Sequence, residues 1–250
     1  MKKIMLLSVL FCLAVGAAAQ EPGYFNHLAI GIKAGTAGVG AELAAPIGPF
    51  FQVRAGYAMV PPFSINRTVS VPEHPGNQGS DKGADFPVNA KATPNLSNAE
   101  LLLDIFPMEH SGFHITAGMM YGPNNAVKVH GSNFPEDYNI AGLNVNDFLV
   151  KAKNGNIDGY ISLDALRPYL GVGFGRAVRT NRTVCVTCDL GAIYWGKPGL
   201  FAPGEDVFGD WEDVRITSEA LNGRDEGLID KAEKFVVYPM INVHVFFNLF

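Results

Sequence analysis

Ala99-Glu100-Leu101-Leu102-Leu103-Asp104-Ile105-Phe106, a turn over Pro107–Gly112, and Phe113-His114-Ile115-Thr116-Ala117-Gly118-Met119-Met120-Tyr121 form the stretch that decides the fold. In its first arm Leu101, Leu103 and Ile105 hold odd positions, while Asn98, Glu100 and Asp104 hold even ones and Leu102 breaks the rule. In its second arm Phe113, Ile115, Ala117, Met119 and Tyr121 alternate with His114, Thr116, Gly118 and Met120. Strand side chains point alternately to opposite faces, so each arm offers one apolar and one polar or small face. Phe106 and Tyr121 place aromatics near strand ends. A soluble sandwich has the same period, so the remainder of the chain must decide.

The chain opens with Lys2-Lys3, an apolar run from Ile4 to Val15, and Gly16-Ala17-Ala18-Ala19. This is the pattern of a secretory signal cut after Ala19, leaving 20–250 as one domain. The run is about a dozen residues, short of the roughly 20 that a spanning helix needs. Cys12 lacks the small residues that precede a lipoprotein cysteine. With no later apolar run of helix-spanning length, a membrane location requires a closed barrel. Beyond Ala19, 17 basic residues face 24 acidic ones, a net charge of −7. An acidic chain without an evident basic cluster argues against nucleic acid or anionic lipid as partner. Charged residues are only 17%, glycine is abundant, and mean hydropathy is slightly positive. Such a composition is greasy for a soluble secreted domain and ordinary for a barrel with lipid outside.

Cys185 and Cys188 form Cys-Val-Thr-Cys. In an exported chain they are expected to close a local disulfide in a bent loop. Within a regular strand they would face opposite sides, Cα atoms roughly 10 Å apart, and stay reduced. Neither a thioredoxin-like helix nor a second ligand pair for zinc follows.

Working outward, Leu28, Ile30 and Ile32 alternate with Ala29, Gly31 and Lys33, and the phase flips at Gly35–Gly38 to Val39, Ala41 and Leu43. The flip predicts a tight turn in preference to a bulge. Phe51–Met59 is the cleanest alternation. Further strands are expected at Ile157–Leu166, Tyr169–Arg176, Val184–Trp195, weakly at Leu200–Ala202, and at Phe235–Phe250. A short helix is predicted over Asp225–Phe235, where Leu228, Ile229, Ala232 and Phe235 fall at helical spacing. Short turns at Pro46–Pro49, Pro107–Gly112 and Leu166–Pro168 alternate with long aperiodic stretches, Pro61–Pro94 and Gly122–Asn156. Bacterial outer-membrane barrels show this asymmetry between periplasmic turns and external loops. Gly171, Gly173 and Gly175 would weaken an ordinary core strand but make room inside a narrow barrel.

Gly35–Leu43, Arg54-Ala55-Gly56-Tyr57, Leu102–Pro107, Gly112–Gly118, Pro168–Gly175, Asp189-Leu190-Gly191 and Gly196-Lys197-Pro198 resemble, in that order, small OmpA/OmpW-like bacterial outer-membrane barrels, mostly of unassigned function. The resemblance covers most of the chain after Ala19 apart from the two long loops. It implies an outer-membrane location and assembly by the barrel-assembly machinery. One departure is Phe250: such families end in an aromatic in phase with the lipid-facing residues, and here Leu249 holds that place.

Lys33, Glu42, Arg54, Glu100, Asp104, His114, Asp164, Arg176 and His244 fall on the less apolar faces of their strands. They are expected to form a polar network inside the barrel, with Arg54–Glu100 as one ion pair. The competing reading is a narrow ion path lined by the same charges. His114 with Thr116 invites comparison with outer-membrane lipases, but no Gly-x-Ser-x-Gly elbow or other Ser-His-acid set is legible. Glu205, Asp206, Asp210, Glu212 and Asp213 lack the regular spacing of a calcium loop and read as solvated surface. The Asn-x-Ser/Thr triplets at Asn66, Asn95 and Asn181 read as chance in a bacterial product.

The expectation is therefore an all-β, single antiparallel up-and-down transmembrane barrel of ten strands, with eight as the other even count. Its role would be structural or surface interaction, without catalysis, cofactor or metal. A narrow pore is the first alternative; a lipid-modifying enzyme or a soluble β-sandwich binding protein is the second. Its partners would be outer-membrane lipid and an extracellular ligand on the long loops, with the chain a monomer.

Overall fold

The computed structural model describes residues 27–72, 85–134, 139–145, 148–152, 154–179, 181–205, 208–217 and 228–249. The segment expected to be a signal, 1–19, and Phe250 lie outside them. Eight strands close a barrel: β1 (Ala29–Gly35), β2 (Gly38–Pro46), β3 (Phe51–Met59), β6 (Ser97–Ile105), β7 (Phe113–Tyr121), β12 (Leu166–Phe174), β13 (Val184–Tyr194) and β16 (Val237–Asn248). Around the barrel the order is β1-β16-β13-β12-β7-β6-β3-β2, every pair is antiparallel, and β2 returns to β1. Closure removes the free strand edges that would otherwise need partners.

The count is eight, not ten. The other strands are β4 (Ile65–Pro72), β5 (Asp85–Pro94), β8 (Asn125–Ser132), β9 (Asn139–Val145), β10 (Phe148–Lys151), β11 (Asn156–Ser162), β14 (Gly199–Glu205) and β15 (Trp211–Ile216). They form a second, open sheet, β4-β5-β8-β11-β14-β10-β9, with β15 beside β14. Its run β4-β5-β8-β11-β14 repeats the barrel run β3-β6-β7-β12-β13, so the sheet continues the wall past the barrel on one side. Prolines mark most of the breaks: Pro61 and Pro62 after β3, Pro94 before β6, Pro123 after β7 and Pro198 after β13. A residue without an N–H interrupts the ladder there.

Both long aperiodic stretches therefore carry strands, and the strands expected at Ile157 and Leu200 belong to the outer sheet. Leu166–Pro168 is no short turn but the first residues of β12. The turns expected at Pro46–Pro49 and Pro107–Gly112 are present as the inner-end connections 47–50 and 106–112, and the third inner-end connection is 175–183. At the outer end β1 and β2 meet over Thr36-Ala37, where Gly38 has φ +101°. That is a tight turn, and Tyr238 Oη (3.0 Å) and Ile241 N (3.1 Å) both donate to Thr36. The predicted helix is present as α1 (Leu228–Glu233) before β16.

Cys185 is buried on the inner face of β13 and Cys188 exposed on the outer one, opposite Phe246 and Val243 of β16. Because the ladder runs through both without a bulge, the predicted disulfide does not form. Denaturation without reductant should leave both Cys185 and Cys188 alkylatable; a mass gain of two carbamidomethyl groups on the peptide that carries them checks this.

Candidate functional site

Polarity in the barrel is inverted. The exposed face carries Ile30, Ile32, Leu43, Leu101, Leu170, Val172, Val186, Leu190, Ile241 and Val243. Phe51, Phe113, Phe174 and Phe247 ring the inner end, and Tyr57, Tyr121 and Tyr194 stand outward near the outer end. A strand of about 9–11 tilted residues crosses a bilayer, and aromatic girdles flank the apolar band of such barrels. This is the arrangement of a barrel with lipid outside. No helix among the described residues is long and apolar enough to cross a membrane.

The lumen is filled in three layers. At the inner end Phe106 and Phe246 are buried, so Phe106 is no girdle residue. The turn after β12 folds into the mouth: Gln52 Nε2 donates to the Val178 carbonyl (3.1 Å) and Gln52 Oε1 accepts from Ala177 N (3.1 Å). Arg176 lies over the Phe106 ring, 3.9 Å from its centre, and donates to the carbonyls of Ser111, Pro49, Met108 and Glu109. Gln52→Ala should cost about 1–3 kcal/mol of folding stability, since buried main-chain groups lose partners, measurable as a lower urea midpoint.

The middle layer is ionic. Arg54 reaches Asp104 Oδ1 and Asp189 Oδ2, each at 2.8 Å, with Glu42 Oε2 at 3.9 Å. Thr116 Oγ1 donates to Asp104 (2.7 Å), and Asp189 also holds His114 Nε2 (2.9 Å) and His244 Nε2 (3.0 Å). His244 Nδ1 meets Glu42, and Lys33 meets Glu100. Four carboxylates, Glu42, Glu100, Asp104 and Asp189, thus face two basic side chains, Lys33 and Arg54, with the His114 and His244 imidazoles in contact with the same carboxylates. Gly173 faces this layer; a Cβ there would collide with Asp189 and His114, which is why β12 tolerates glycine. Further out lie Leu102, Met120, Tyr169, Ile193 and Met240. Above them Arg167 donates to Asn98 Oδ1, Pro123 O and Asp164 O, each at 2.7 Å.

Lys33, Glu42, Arg54, Glu100, Asp104, His114 and His244 are therefore gathered in the lumen. Asp164 and Arg176 are not: Asp164 is exposed at the outer rim before β12, and Arg176 follows the end of that strand and caps the inner mouth. The Arg54–Glu100 pair is also replaced. β3 and β6 are neighbours, but Gly56 stands opposite Glu100 and Leu102 opposite Arg54. Asp189 and Arg167 join the lumen without having been expected there, although alternation with Leu190 and with Leu170 respectively marks both as inward.

Outside the barrel, the exposed face of the second sheet holds a cleft of about 710 Å3 lined by Lys91, Lys128, His130, Asp158, Tyr160 and Trp211 among others. His130 Nδ1 pairs with Asp158 (2.6 Å), Tyr160 Oη donates to Asp213 (3.1 Å), and Tyr160 stacks on Phe201. Among the described residues no cluster of three or more His, Cys, Asp or Glu is placed as a metal site.

No family model and no curated protein matches the chain. Similar solved structures include CarO of Acinetobacter baumannii, 23% identical over 88% of this chain and 96% of that one, with a TM-score of 0.46. CarO2 of the same organism is 17% identical over 89% and 98%, with a TM-score of 0.48. A major outer membrane protein from Thermus thermophilus is 17% identical over 88% and 98%, with a TM-score of 0.34. At such distances the reading rests on the chain's own geometry.

Proposed function

We propose that the chain is an integral outer-membrane β-barrel protein whose lumen is a structural core and whose contacts with the surroundings are made by the outer sheet. One observation carries this reading: apolar side chains cover the barrel's outside while a charged and polar cluster is buried at the middle of its inside, the reverse of a soluble protein. The outer sheet, with its polar and aromatic cleft, is the surface a ligand or neighbouring cell component would meet. Membership among the small OmpA/OmpW-like barrels belongs to the same proposal, supported by the eight-strand closure and the ordered motifs. Outer-membrane fractionation with heat-modifiability tests it: the protein should sediment with the outer membrane, and its band should shift on boiling. A soluble protein without a shift would overturn the reading.

The competing pore reading is disfavoured by the packing. Arg54, Phe106, Met120, His114, His244, Met240 and Phe246 are all fully buried, so among the described residues the lumen is filled by side chains from its inner end outward. Planar-bilayer recording should accordingly show no discrete conductance steps, and steps abolished by Arg54 substitution would restore the pore.

A further inference from the structure

The chain's net negative charge conceals a local reversal. Arg176, Arg179 and Arg182 stand three residues apart in one inner-end connection. Among the described residues of the three inner-end connections the other formally charged one is Glu109. Arg176 is spent on four carbonyls. Arg179 and Arg182 have no ion-pair partner among the described residues, and Glu109 makes no pair with either within 4 Å.

Their backbone is fixed. Arg182 N donates to Arg179 O (3.2 Å), and Asn248 Nδ2 from β16 donates to the carbonyls of both arginines. The turn is also anchored in the mouth through Gln52. Against it lies a cleft of about 270 Å3 whose walls are Arg176, Arg179 and Arg182 on one side and Phe174, Val184 and Val186 on the other. Those apolar residues are outward, with Phe174 68% and Val186 58% exposed, and they continue the lipid-facing band. Cationic groups thus stand at the edge of that band, directly above an apolar wall.

We propose that Arg179 and Arg182 bind the phosphate of an anionic phospholipid in the periplasmic leaflet, its acyl chain lying along Phe174, Val184 and Val186. The assignment rests on the membrane reading above. Guanidinium forks match phosphate oxygens in pairs, and the apolar wall selects a lipid over a free anion. The expectation from overall charge, that anionic lipid is no partner, is thereby reversed at this one end of the molecule.

The test is native mass spectrometry of the detergent-purified full chain with added phosphatidylglycerol or phosphatidylcholine, each sample first checked for the heat shift. Phosphatidylglycerol adducts should survive collisional activation about tenfold better than phosphatidylcholine adducts, a difference near one decade in affinity. The double variant Arg179→Gln/Arg182→Gln should keep the heat shift and lose the preference, and Arg179→Lys/Arg182→Lys should regain part of it. Unchanged retention in the heat-shifting Gln variant overturns the site. Displacement of the lipid by millimolar inorganic phosphate overturns it too, by making the site one for free anions. A wild-type chain that shows no heat shift fails the membrane reading instead.

Discussion

Arg54→Leu should lower barrel stability by about 3–5 kcal/mol, the cost of stranding buried charges without their partner. Arg54 is fully buried and in ion pairs with Asp104 and Asp189, with Glu42 at the edge of reach. Leucine replaces its bulk in part but leaves three buried carboxylates facing one another without their shared cation. Urea titration in lipid vesicles, read as the heat-modifiable fraction, gives the loss. Arg54→Leu/Asp104→Leu should be less damaging than the sum of its single variants, because residues in one network are strongly coupled. A loss below about 1 kcal/mol from Arg54→Leu, the scale of an exposed ion pair, would mean that the carboxylates are solvated and the lumen is not a dry core.

Leu170→Arg is the complementary experiment on the outer face. Leu170 sits at the middle of β12 and is 64% exposed. On a soluble protein such a change alters stability within about ±0.5 kcal/mol. At the midplane of a bilayer it costs about 2–4 kcal/mol. The same urea titration should show the larger loss for Leu170→Arg and almost none for Ile65→Arg, which is also exposed but lies on the outer sheet. Equal, small losses at both positions would remove the lipid from around the barrel.

Much of the barrel can be read from alternation alone. β3, β6, β7 and β16 are legible because each keeps its period for nearly the full strand, with apolar residues on one parity. The outer sheet is not, because its strands break that period: β5 contains Pro87 and Pro94, and the β8–β11 ladder shifts register between Ile161 and Ser162. The lumen network is half visible. Lys33, Glu42, Arg54, Glu100, Asp104, His114 and His244 follow from parity, whereas the partners follow from barrel closure, which sequence neighbours do not encode. Asp189 is masked by Cys188 beside it, whose spacing to Cys185 is the stronger signal, and Arg167 by Pro168, which reads as a corner. Arg176 and Asp164 show the opposite error, since parity does not extend past the ends of β12.

The middle layer also constrains the order in which the chain can be assembled. Asp104 and Thr116 are 12 residues apart, but Glu42 and His244 are separated by 202. Contacts of such separation form late, after the loop between them has been closed. Until β16 brings His244 in, Glu42 and Asp189 lack part of their counter-charge and need water, which hydrocarbon cannot give. A half-closed barrel is therefore penalised wherever its open side faces acyl chains. Closure of the last seam and neutralisation of the interior become one event, which makes insertion all-or-none and disfavours lateral reopening once it is complete.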